Sequence, residues 1–196
     1  MNPILNHRLF FIKEKVGLLK ASNNYDILDP NTKSLLLTSR ETKMNFLTRL
    51  LRFTDYKTYT PFYFEIKDGN GQTVFTIQRG FTLFLSNVKV FDANQQLVGM
   101  FKQHLFSIGG KFGVHDAQGN ALCTLEGNWV GWNFKFIQEG RVFAEIFKEW
   151  SGLGKELFTS ADNYMLSISD TVPANHPVRM LILAAVLCVD MVLKEK

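Results

Sequence analysis

Val178 to Leu193 reads VRMLILAAVLCVDMVL, and from Met180 to Val189 no side chain is polar. A helix this apolar on every face lies either inside protein or inside a bilayer. At 1.5 Å per residue the stretch reaches roughly 24 Å, short of the roughly 30 Å of a hydrocarbon core. Asp190 near its end would also be costly in hydrocarbon. The reading is a buried central helix over 177–193, with a single C-terminal membrane span as the open alternative. Pro177 falls where the first turn begins, and Asn175 is the expected cap.

What could enclose such a helix is written in the middle of the chain. FYFEIKDGNGQTVFTIQR, NVKVFDANQQLVGMFKQ, KFGVHDAQGNALCTLEG and NFKFIQEGRVFAEIFKE share one grammar of alternating strand, polar turn and alternating strand. The turn aspartates Asp68, Asp92 and Asp116 recur every 24 residues, the mark of hairpins laid on one architecture. Val74, Phe134 and Phe136 are assigned to the inward face. Three strands precede the insert, RLFFIKEKV, NNYDIL and SLLLTSR, the last two joined by the turn Asp29-Pro30-Asn31. With a final strand from Tyr164 to Ile168 the count is twelve. The fold class predicted is mainly β, a closed twelve-stranded antiparallel barrel, because closure removes sheet edges. Side chains alone fill a barrel of about eight strands, and the C-terminal helix is the element fit to plug the larger hole. Arg179 and Asp190 then fall near opposite mouths, where water would reach them.

The 196 residues are 46% hydrophobic, enough for one domain over 1–196 with its own core. Cys123 and Cys188 are isolated thiols without metal or disulfide spacing, which fits a reducing compartment. No secretory leader is legible at the start. A net charge of +4 is too mild to call for nucleic acid, and none is expected as a partner. Its distribution says more: five basic and two acidic residues lie between Arg40 and Lys57. They fall in an irregular insert, 42–60, that reads as an amphipathic helix. Lys43, Arg49, Arg52 and Lys57 supply the charge, and Phe46, Leu50 and Phe53 lie on the apolar side. Such a helix can lie on an anionic phospholipid surface. It can equally pack its apolar face on the barrel wall.

AEIFKEWSGLGKELFTSADNYMLSIS, followed by the apolar helix with its late Asp190, resembles the C-terminal part of the phospholipid scramblase family. Lys148, Trp150, Gly152, Phe158-Thr159 and Ala161-Asp162-Asn163 carry the match, and FFIKEKVGLLKASNNYDIL with LLLTSRE resembles its opening strands. The resemblance implies the tubby-like fold, membrane association on the cytoplasmic side and the handling of phospholipid without covalent chemistry. A tubby-like barrel that binds phosphoinositide headgroups or a protein partner, and moves no lipid, is the alternative. The chain departs from the family in lacking cysteine clusters in the insert and a Pro-rich N-terminal tail.

The resemblance also implies calcium at the start of the last strand, where Ser160 stands in place of a usual carboxylate. Asp162, Asn163 and Asp170 remain as oxygen donors, with Ser167 and Ser169 nearby. Calcium takes 6–8 oxygens, and an alternating strand points Asp162 and Asn163 to opposite faces. The stretch reads more simply as a polar turn entering a strand, and with Ser160 in place of a carboxylate any binding is expected to be no tighter than about millimolar. No other cofactor is called for. The four histidines (His7, His104, His115, His176) have no partner spacing, and no nucleophile motif or phosphate loop is present, so no enzyme activity is expected.

Overall fold

The computed structural model of the chain describes residues 1–15, 24–42, 60–80, 87–103, 111–128, 133–147 and 163–193. Twelve strands follow one another: β1 (Leu9–Lys15), β2 (Asn24–Leu28), β3 (Leu35–Glu41), β4 (Phe62–Asp68), β5 (Thr73–Arg79) and β6 (Asn87–Asp92) make one half. The other half is β7 (Leu97–Gln103), β8 (Phe112–Asp116), β9 (Ala121–Asn128), β10 (Asn133–Gln138), β11 (Arg141–Phe147) and β12 (Asn163–Ile168). Each pairs antiparallel with its neighbours in sequence, and β1 pairs with β12 to close the barrel. The predicted fold class is the one observed.

Period-two patterning decides which way side chains point. Phe10, Ile12, Tyr25, Ile27, Leu37, Phe64, Ile66, Phe75, Ile77, Phe134 and Phe136 are all at most 1% exposed and form one core. Val74 joins them at 5%. Charged residues such as Lys13, Glu65, Lys89 and Lys135 alternate with them on the outside. A bilayer-spanning barrel has the reverse arrangement, apolar outside and polar within.

α1 (Val178–Leu193) fills the interior. Leu181, Ile182, Leu183, Ala184 and Leu187 are fully buried although they point in every direction around the helix axis. A helix enclosed by strands needs no polar stripe, which explains its uniform sequence. Gly99 on β7 allows the close approach: a Cβ there would stand 2.9 Å from Leu181 Cδ1 and would also run into the His115 carbonyl. No helix among the described residues is long and apolar enough to cross a membrane.

Three hairpins are built alike at one mouth. In each the aspartate Oδ1 accepts two main-chain N–H groups: from Asn70 and Gln72 at Asp68, from Asn94 and Gln96 at Asp92, and from Gln118 and Asn120 at Asp116, at 2.8–3.1 Å. The residue three places on (Gly71, Gln95 or Gly119) takes a positive φ, as a type I turn followed by a left-handed residue requires. The fourth turn departs from this grammar. Glu139 and Gly140 both have positive φ in a two-residue turn without an aspartate.

Candidate functional site

The N-terminal residues close the tight-turn mouth. A 3-10 turn, Pro3–Asn6, buries Leu5, and the residues around it bond to the turns beneath. Asn2 donates to Asp68 at 3.2 Å, His7 lies 3.7 Å from Asp29, and Arg8 pairs with Asp170. Asn6 and Asn175 exchange two bonds, the Asn175 N–H donating to Asn6 Oδ1 at 2.8 Å and Asn6 Nδ2 to Asn175 Oδ1 at 3.2 Å. That occupies Asn175, which has φ 60°, and the cap of α1 falls to its neighbour instead. His176 Nδ1 accepts from the Val178 N–H at 3.2 Å.

Arg179 is the centre of this closure. Placed by its sequence position at a mouth open to water, it is instead 3% exposed. Its Nε donates to the Leu5 carbonyl at 2.7 Å and Nη1 to Val172 at 2.9 Å. Nη2 serves both Asn6 and His7, at 3.1 and 2.8 Å. Burial and the nearby positive charge of Arg8 hold its pKa below the ordinary value. Asp190, the other charge expected at a mouth, has no described side chain.

The strands that flank the insert end at the opposite mouth, and both its ends are pinned. The Thr42 N–H donates to the Tyr63 carbonyl at 2.9 Å. The Thr60 carbonyl accepts from Arg79 Nε and Nη2 at 3.2 and 2.6 Å. Arg79 is buried, and its guanidinium lies 4.6 Å from the centre of the Phe62 ring. On the wall beside them Asp26 binds Lys15 at 2.7 Å and Arg40 at 2.6 Å. Partial burial raises the Asp26 pKa, and the hydrogen bonds from Lys15 and Arg40 outweigh it, so its carboxyl sits below the ordinary value. Arg40 also donates to the Tyr25 carbonyl, so this network ties β1, β2 and β3 just before the insert leaves.

Lys43, Phe46, Arg49, Leu50, Arg52, Phe53 and Lys57, the predicted membrane-contact residues, lie outside the described residues. So does Asp162 of the calcium set. Asn163 is 4% exposed at the first position of β12, opposite Lys13. Asp170 lies beyond the last residue of that strand, paired with Arg8. At about 3.3 Å per residue the two are roughly 20 Å apart, too far to share an ion. No cluster of three His, Cys, Asp or Glu suited to a metal occurs among the described residues. Burial pushes the thiols of Cys123 and Cys188 up to about 12, which leaves both unreactive at neutral pH. Sequence reading passed over Arg79 and the Asp26 network; a cation at an inward strand position was the one available signal for Arg79.

A solved protein of Arabidopsis thaliana shares the fold, with a TM-score of 0.52 at 13% identity, over 93% of this chain and 90% of that one. A phospholipid scramblase family protein of Schizosaccharomyces pombe is 24% identical over 191 residues, which cover 90% of this chain and 50% of that protein. Altered inheritance rate of mitochondria protein 25 of Saccharomyces cerevisiae is 22% identical over 188 residues, covering 83% and 57% respectively. The chain thus spans about half the length of these curated relatives. A model of the family described as Scramblase matches residues 11–196, from β1 through α1, and the chain belongs to that family.

Proposed function

We propose that this chain is a scramblase-type barrel that sits peripherally on the cytoplasmic side of an anionic phospholipid membrane and handles its lipids without covalent chemistry. The observation that carries the reading is the family match over 11–196. The insert, 42–60, supplies the contact, held at Thr42 and Thr60 by the bonds from its own wall. Three net basic charges at about 1 kcal/mol each fall short of the roughly 4 kcal/mol of millimolar binding. Phe46, Leu50 and Phe53 therefore insert alongside Lys43, Arg49, Arg52 and Lys57.

A second reading, a barrel that binds phosphoinositide headgroups and moves no lipid, is favoured by one observation. Among the described residues the interior is filled by α1, whose side chains from Met180 to Cys188 are apolar and buried within the strand core. Co-sedimentation with neutral and anionic vesicles, with and without calcium, tests the shared premise. Arg49→Glu with Arg52→Glu should weaken anionic-vesicle binding at least tenfold, and salt should do the same by screening. Binding by the double variant equal to the parent's would remove the insert from the contact. Reconstitution with a fluorescent phospholipid and an impermeant quencher then separates a lipid mover from a headgroup binder.

A further inference from the structure

The outer wall of the barrel is electrically two-sided. From β1 to β7 the outward charges among the described residues are Lys13, Lys15, Arg40, Lys67, Lys89 and Lys102 against Asp26 and Glu65. The two carboxylates lie beneath their cations. The side chains of Asp26 and Glu65 are 15% and 25% exposed, while those of Lys15 and Lys67 over them are 54% and 40% exposed. Lys13, Lys89 and Lys102 are exposed and have no acidic partner among the described residues. Lys89 and Lys102 are diagonal neighbours, since Lys89 faces Met100 and Lys102 faces Asn87 across β6 and β7.

The wall from β8 to β12 is balanced. Lys111 pairs with Glu126 at 3.1 Å and Lys135 with Glu145 at 3.4 Å, while Arg141 and Glu139 at the β10–β11 turn offset one another. The two stretches of wall thus differ by four positive charges on one scaffold. A flat anionic surface attracts each exposed basic group near it, and the attraction fades within about a Debye length, ~8–10 Å. That is shorter than a barrel is wide, so only one side gains. The insert leaves from β3 and returns to β4, in the middle of the basic half.

We propose that the β3–β7 part of the basic wall is the face laid against an anionic phospholipid bilayer, with Lys89 and Lys102 extending the contact beyond the insert. This rests on the membrane reading above and adds the orientation of the barrel to it. The test uses two double variants of the full chain with equal change of net charge: Lys89→Glu/Lys102→Glu on the basic wall and Lys135→Glu/Arg141→Glu on the balanced wall. Binding is read on vesicles of phosphatidylcholine containing phosphatidylserine, after thermal melts establish that each variant folds; glutamine replaces glutamate where one does not.

The first pair should lose about tenfold or more in affinity and the second less than threefold, with a shallower salt dependence for the first pair only. Equal losses would mean that net charge alone matters and would overturn the orientation. Were Arg49→Glu/Arg52→Glu the only variant to weaken binding, the insert would stand and the wall would not. A parent chain that ignores these vesicles overturns both, and one that instead retains a short RNA reassigns the basic face to nucleic acid.

Discussion

Arg179 carries its charge into the first turn of α1, where the helix dipole already favours negative groups. Its four partners are main-chain carbonyls, of Leu5, Asn6, His7 and Val172. Such an arrangement is tolerated because charge-assisted bonds in the planar geometry of a guanidinium satisfy carbonyls that would otherwise be buried alone. Arg179→Met keeps the apolar stem and orphans those carbonyls, so urea unfolding should show a loss of about 3–5 kcal/mol. Arg179→Lys should fall between, since one ammonium cannot reach all four. Asp26 makes a pH prediction with a definite sign. Its folded pKa lies below the ordinary value of 3.8, so its ion pairs stabilise the fold above that pH and the contribution is lost as pH falls through the folded value. Asp26→Asn should lower the melting temperature at neutral pH, and the gap to the parent should close as pH falls below 3.8 through the folded value.

Among the elements, the hairpins with turn aspartates at 68, 92 and 116 were the most legible part of the fold. Aspartate followed by flexible polar residues has a local reason to turn, and the Oδ1 bonds observed are that reason made visible. The fourth unit is the hairpin expected, but its turn is built differently: Glu139-Gly140 reaches a tight turn through two positive φ angles without a side-chain acceptor. The cap of α1 shows the same limit. Asn175 is the better cap by type, yet Asn6, 169 residues away, engages it and leaves the role to His176. Gly99 matters for what it lacks. Gly99→Ala would press a methyl group against Leu181 and the His115 carbonyl, and a loss of about 1–3 kcal/mol by thermal or urea unfolding is expected from such overpacking.

For the molecule as a whole, strands and helix form a single core in which α1 is the inner half. Burying each of Leu181, Ile182, Leu183 and Leu187 contributes roughly 1.5–3 kcal/mol, together comparable with the usual 5–15 kcal/mol of net stability. A fragment of residues 1–175 should therefore lack a cooperative melt in circular dichroism, and Ala185→Arg should unfold the full chain. A monomeric β-rich fragment that melts cooperatively would show that the barrel does not need its helix. The sequence by itself determined the strands, the tight turns, the number twelve and the character of the plug. Those rest on period-two burial, turn chemistry and hydrophobicity, which act between residues close along the chain. Only the tertiary structure decided how Arg179 is satisfied, why Asn175 gives up the cap of α1 to His176, and which part of the wall keeps its charge uncompensated. Each depends on closure and register, which bring together residues as far apart as Leu5 and Arg179.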